Sequence, residues 1–268
     1  MDPLDAPHEG TSASVPGPPD GVTPAAPPTP WNLELRRAVE GIDPVAATAC
    51  VVAMAVLVAS HYQGGTGFFR EHLASKISLL GVGDADAYLW WFWSSVLLYL
   101  VIPLIAARLT PGQGISRTGF AMGDRRFGFT AAALMLAAFL PVVTLASGLP
   151  AFASAYPLCG AIKGSPLAFV AYELSYVAYF FAWEYLFRGY LLFSLEPALG
   201  RFAAFVQMMP FAVAHLGKPE SETFGSIGAG VILGLVALRA RSFVYGAIVH
   251  AVVAVAMDLL ASRGSLLF

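Results

Sequence analysis

The sequence predicts an all-α polytopic membrane protein with about seven transmembrane helices and a disordered N-terminal tail. Three observations carry that expectation. Hydrophobic residues make up 57% of the 268 and charged residues only 12%, about half the charge of a soluble domain. Mean hydropathy is +0.70, and apolar runs near the roughly 20 residues a membrane helix needs recur along the chain. The head of the chain reads differently. Pro3, Pro7, Pro16, Pro18, Pro19, Pro24, Pro27, Pro28 and Pro30 alternate there with Gly, Ser, Thr and Ala.

Such a head buries too little apolar area to offset its ordering entropy, so residues 1–33 are expected to be disordered. No Lys or Arg precedes Arg36 and no apolar h-region follows the start, which argues against a signal peptide. His8–Glu9 lacks a second His four residues after a Glu, so it is no zinc motif. The remainder, 34–268, reads as one membrane domain. Spans are predicted at about 44–62, 87–107, 127–147, 166–195 (reaching toward 199), 201–216, 222–239 and 242–261. Residues 63–86 contain Gly64-Gly65, His72, Lys76 and two Asp, and read as a loop with room for an interfacial helix. Trp90, Trp91 and Trp93 fit an aromatic belt at the head of the second span.

Short-loop cations set orientation. With the N-terminus inside, nine (Arg36, Arg37, Arg108, Arg117, Arg125, Arg126, Arg201, Arg239, Arg241) face in and five (Arg70, Lys76, Lys163, Lys218, Arg263) face out. The expectation is an integral protein of a bacterial inner membrane with a cytoplasmic N-terminus. A net charge of -2 without a basic tract argues against a nucleic-acid partner. Cys50 and Cys159 give neither metal-ligand spacing nor a disulfide framework and read as small membrane or loop residues.

Ionisable groups inside spans cost roughly 2.5–3.5 kcal/mol each on insertion scales. The C-terminal half holds Glu173, Glu184, Arg188, His215, His250 and Asp258, whereas the first three spans hold none deep within them. Glu184 and Arg188 stand at i and i+4, on one helix face, with the acid first. Glu173 lies eleven residues earlier on nearly the same face. Counting a rise of about 1.5 Å per residue from turns near 200 and 241 puts Glu184 ~24 Å, Arg188 ~18 Å, His215 ~22 Å and His250 ~14 Å from one membrane face. Three spans thus carry polar groups to a common level. Each group alone also has a plain structural reading. Glu184–Arg188 suits a self-neutralising intrahelical pair, either His an interhelical hydrogen bond, Asp258 the interface, and Glu220 and Glu222 a loop.

The stretch FAWEYLFRGYLL (181–192), followed by PFAVAH (210–215) and then His250, resembles the CAAX-protease and bacteriocin-processing family of intramembrane glutamic endopeptidases. That family's pattern is two adjacent Glu, three residues and Arg-Gly; then Phe, three residues and His; then a His with Asn four later. TGFAMGDRRFGF (118–129) looks like the loop before that family's third or fourth span, and the resemblance covers about 115–261. Two positions depart from the pattern: the family's leading Glu is Trp183 here, and its Asn is Ala254. A single Glu after Trp, together with HLGKPE (215–220), is similar to a sub-branch of the family.

The resemblance implies peptide-bond hydrolysis in or near the membrane, with no metal, no cofactor and no Ser or Cys nucleophile. Glu184 is expected to act as general base on water, with Glu173 in reserve. Arg188 is expected to orient the carboxylate, and His215 and His250 to bind the oxyanion or the water. The expected partners are a membrane-bound protein or peptide substrate and membrane lipid. Other peptidase classes fit less well. No His-Glu-x-x-His occurs; GVGD (81–84) lies in a polar loop with no Tyr-Asp partner; GSIG (225–228) reads as a helix-packing face. Spacing alone leaves zinc held by two His and a Glu open. Trp183 and Ala254 also leave open a catalytically silent relative that scaffolds membrane proteins. A transporter is disfavoured, because no inverted repeat is visible.

Overall fold

The computed structural model describes residues 30–262; most of the Pro-rich head lies outside them. Helix α1 (Trp31–Val39) is a nine-residue amphipathic helix with Arg36 and Arg37 in its last turn. Residues 31–33, placed in the tail from sequence, therefore open a helix. The chain from Ile42 onward forms a separate unit, and the described part of it holds helices and no strand.

Helix α2 runs from Pro44 to Gly64. Asp43 caps it, accepting from the amides of Val45 and Ala46 at 2.8 and 2.9 Å, with Pro44 at the first helical position. Helix α3 (Thr66–His72) is the short helix the loop had room for. Helix α4 (Ala85–Leu109) carries the three tryptophans. Two of them bond to neighbouring segments: Trp90 Nε1 donates to the Gln63 carbonyl at 3.1 Å and Trp93 Nε1 to Ser175 Oγ at 3.2 Å. Helix α5 (Arg125–Ala146) is capped by Asp124, which accepts from the Phe127 amide. A short α6 (Pro150–Ala155) follows.

Helix α7 is the axis of the bundle. It continues through Pro166–Glu184, a π-helical stretch Tyr185–Leu191 and Leu192–Leu199. It packs on α4 and on the last helix, and a run of rings fills the first contact, with Phe92 5.1 Å from Tyr172 and 4.8 Å from Tyr176. Every residue from Ala182 to Leu195 is buried. After a turn at Gly200 come α8 (Ala203–Val213), α9 (Glu220–Ala240) and α10 (Val244–Ala261). Helices α8 and α9 pack closely because Gly230 and Gly234 bring the α9 backbone against Met208 and Ala204.

Among the described residues, five helices are long and apolar enough to cross a membrane: α2, α4, α5, α9 and α10. The two other predicted spans differ from these for physical reasons. Helix α7 is long, but Glu173, Glu184, Arg188 and its tyrosines dilute its apolar character. The segment expected at 201–216 is α-helical only over Ala203–Val213, after a single 3-10 turn at Gly200–Phe202. Eleven residues rise about 16 Å, half the roughly 30 Å hydrocarbon core. Helix α8 therefore ends at depth, and residues 214–219 turn back into α9. Non-helical backbone at such depth is tolerated where it lines a cavity, and Ala214, His215, Lys218 and Pro219 do line one.

The loop at 118–124 fixes the entry of α10. Asp124 N bonds the Ala240 carbonyl at 2.9 Å, Tyr245 Oη donates to the Met122 carbonyl at 2.7 Å, and Arg239 bridges to Asp124 at 2.9 Å. Gly123 sits at φ +50° with the Ala240 carbonyl oxygen 1.9 Å from where a Cβ would be, so only glycine fits that approach.

Candidate active site

Glu184 closes the α-helical part of α7, and Arg188 sits one turn on, within the π-helical stretch. Such stretches concentrate at functional sites. Both side chains are fully buried. Arg188 Nη1 donates to Glu184 Oε1 at 2.9 Å, and the guanidinium lies 3.7 Å from the centre of the Phe211 ring, a cation–π contact in a dry setting. From α10, His250 Nδ1 reaches the same Oε1 at 2.8 Å. One carboxylate oxygen thus takes both partners, while Oε2, Arg188 Nε and Arg188 Nη2 stay buried without a hydrogen bond. Burying an ion pair costs several kcal/mol per ion before their attraction is counted.

Gly246 makes the approach possible. It lies one turn before His250, and a Cβ there would stand 2.9 Å from Glu184 Oε2. Phe211 lies in the last turn of α8 and His215 in the turn that follows it, where His215 Nδ1 meets the Phe211 carbonyl at 2.8 Å. The His215 ring lies 4.4 Å from Phe211 and 5.6 Å from Trp183. The His250 ring packs 4.3 Å from Phe180. The two imidazoles are near-parallel, 15° apart in plane and 6.5 Å between centres.

Both histidines line a cavity of about 460 Å³, walled by Trp183, Phe180, Phe211 and residues of α5 and α9. That volume is in the range of a small-molecule or short-peptide pocket. Glu184 and Arg188 are not part of its wall; they stand one layer behind the histidines. Ala254, at the position of the family's Asn, lines the cavity and offers no side-chain donor.

Glu184, Arg188, His215 and His250 therefore lie in one cluster. Glu173 is not brought to it. It stays eleven residues, about 16 Å, back along α7, buried with both carboxylate oxygens unpartnered. Asp258, read as interfacial, is fully buried. Glu220 and Glu222, read as loop residues, form the first turn of α9. There Glu222 accepts from Tyr156 Oη at 2.7 Å, and the Lys218 ammonium lies 5.2 Å from the Tyr156 ring. Sequence reasoning passed over Gly246 and did not place Trp183 and Lys218 in a cavity wall. For Gly246 a signal existed, since a glycine four residues before a buried His shares its helix face.

An all-helical membrane bundle with a carboxylate–guanidinium–imidazole cluster behind an aromatic cavity defines the class of this protein. Residues 164–256 match the family model described as type II CAAX prenyl endopeptidase, Rce1-like. That match agrees with the CAAX-protease resemblance read from the motifs, and it runs from the start of α7 into α10. No curated protein and no solved structure shows a significant match to the chain.

Proposed function

We propose that the protein is an intramembrane endopeptidase that hydrolyses a peptide bond of a membrane-anchored or lipid-modified precursor. Glu184, Arg188, His215 and His250 carry the reaction, and water is the nucleophile. The observation behind this reading is the single Glu184 oxygen that receives both Arg188 and His250 in a dry interior, next to a cavity the two histidines face. Arg188 keeps the carboxylate charged and in place, and the carboxylate orients His250. Proton transfer from water in such a setting contributes about 10²–10⁴ in rate. Glu173 takes no part in this scheme. In this reading the protein sits in a bacterial inner membrane, and the Lys and Arg distribution favours a cytoplasmic N-terminus. The test uses purified protein in nanodiscs with a membrane-anchored peptide library. Wild type should generate new termini and Glu184→Gln should not; equal cleavage by both contradicts the assignment.

Trp183 and Ala254, where the family carries Glu and Asn, support a second reading: a silent relative that binds membrane proteins as a scaffold. His215→Ala and His250→Ala separate the two. A peptidase loses function with either, as in the deletion strain, whereas a scaffold retains it with at least one.

A further inference from the structure

We infer that the proton acceptor in this chain is Nε2 of His250, that the attacking water is held between His250 and His215, and that Glu184 is a positioning residue behind them. The inference rests on the peptidase reading above and assigns its chemistry. A backbone carbonyl only accepts, so the 2.8 Å contact with the Phe211 oxygen makes His215 Nδ1 a donor. The carboxylate oxygen of Glu184 does the same for His250 Nδ1. In a neutral imidazole a protonated Nδ1 leaves a lone pair on Nε2. Both Nε2 atoms therefore present acceptors, neither with a protein partner, on residues that line the cavity. Glu184 itself has no access to that cavity, since its Oε2 is buried.

The ring separation indicates what the two acceptors hold. A nitrogen lies roughly 1.2 Å from its ring centre, and a water bonds it at about 2.8 Å. Two rings sharing one water near the tetrahedral angle then stand about 6.4 Å apart between centres. A shared zinc at about 2.0–2.1 Å from each nitrogen would draw the centres to about 5 Å. The observed 6.5 Å between centres is long for a shared zinc and leaves the spacing that a shared water needs. Such a water donates one O–H to each Nε2 and turns its oxygen lone pairs outward.

The step balances as follows. One water proton passes to His250 Nε2 as the oxygen bonds the scissile carbonyl carbon, and the carbonyl π pair moves to its oxygen. When that pair returns, the C–N bond breaks, and the His250 proton goes to the departing nitrogen. His215 takes no proton; it holds the second O–H and so fixes the line of attack. The Glu184 charge lies 2.8 Å from His250 and opposes the positive charge the imidazole gains.

The test is ¹⁵N NMR of histidine-labelled full-length protein in nanodiscs, with signals assigned by His215→Gln and His250→Gln. In wild type, both residues should show protonated Nδ1 and bare Nε2. Glu184→Ala should move His250 toward the Nε2–H form and leave His215 unchanged; Glu184→Gln, which keeps the volume, replaces it if the Ala variant does not fold. A quenched-fluorophore peptide carrying a cut site found by terminus mapping gives the activity readout. Glu184→Ala should fall about 10⁴-fold yet stay above background, and His250→Ala should fall to background. A protonated Nε2 on wild-type His250, or turnover by His250→Ala above that of Glu184→Ala, overturns the assignment. Expected tautomers without any wild-type cleavage would overturn the peptidase reading instead.

Discussion

Gly246→Ala isolates the geometry of the carboxylate from its chemistry. The added Cβ would lie 2.9 Å from Glu184 Oε2, while its next neighbours, Leu233 Cδ2 and Glu184 Cδ, stand at 3.6 and 3.7 Å. The clash thus falls on the carboxylate end. Restoring an ordinary contact moves Oε2 by about half an ångström and stretches the Oε1 bonds, now 2.9 and 2.8 Å, toward or past the roughly 3.2 Å limit of a good hydrogen bond. Losing one hydrogen bond to a charged group costs about 1.5–3 kcal/mol, or about 10- to 150-fold in rate if it falls on the transition state. Helix propensity works the other way, since Ala in a helix interior is favoured over Gly by about 0.8–1.0 kcal/mol. The expected outcome is peptide turnover reduced by one to two orders of magnitude at a melting temperature near wild type. Peptide affinity should hold, because Gly246 does not line the cavity. Turnover is followed in nanodiscs and melting by intrinsic fluorescence in detergent. Wild-type turnover in a folded variant would refute the view that the position of Glu184 controls the reaction.

Arg188→Ala leaves the fully buried Glu184 charge opposed only by His250 and should destabilise the fold by about 3–5 kcal/mol, read by thermal unfolding. Pairing it with Glu184→Gln should return much of that loss. Gly123→Ala forces a left-handed Ala and a Cβ onto the Ala240 carbonyl; a loss above about 1 kcal/mol is expected in the same assay, and an unchanged melting temperature would refute the close approach. Hydrogen bonds from the Phe127 amide and then Arg239 hold the exposed Asp124 carboxyl below the usual carboxylate range. Its contribution to stability is then complete above the unfolded value of about 3.9 and is lost as pH falls through the lower folded value. The melting-temperature gap between wild type and Asp124→Asn should be constant near neutrality and close in that acid window. A gap that widens on acidification would contradict the bond.

Much of the bundle was legible because a bilayer leaves few ways to satisfy a backbone. The apolar runs of α2, α4, α5, α9 and α10 each had to be helical. The convergence of Glu184, Arg188, His215 and His250 was also legible, since turns near 200 and 241 let residue counts be read as depths. What composition hid was the half-length α8. Its apolar run extends to residue 216, but the backbone turns at Ala214, and Gly217 takes φ +95°. Nor did spacing reveal that Glu184 stands behind His250 and not in the cavity wall. A helical face defines which residues share a side, but not which of them a neighbouring helix covers. Glu173 shows the same limit: the count puts it on nearly the face of Glu184, yet its carboxylate lies outside the cluster, buried and unpartnered.

The central claim is that this is a peptidase whose reaction runs through Glu184. The most direct measurement maps peptide termini in the membrane and secreted proteomes of three strains: wild type, a deletion, and one expressing Glu184→Ala at wild-type level. A shared set of termini lost in both the deletion and the point mutant is the predicted result. Termini lost in the deletion but kept with Glu184→Ala would contradict it.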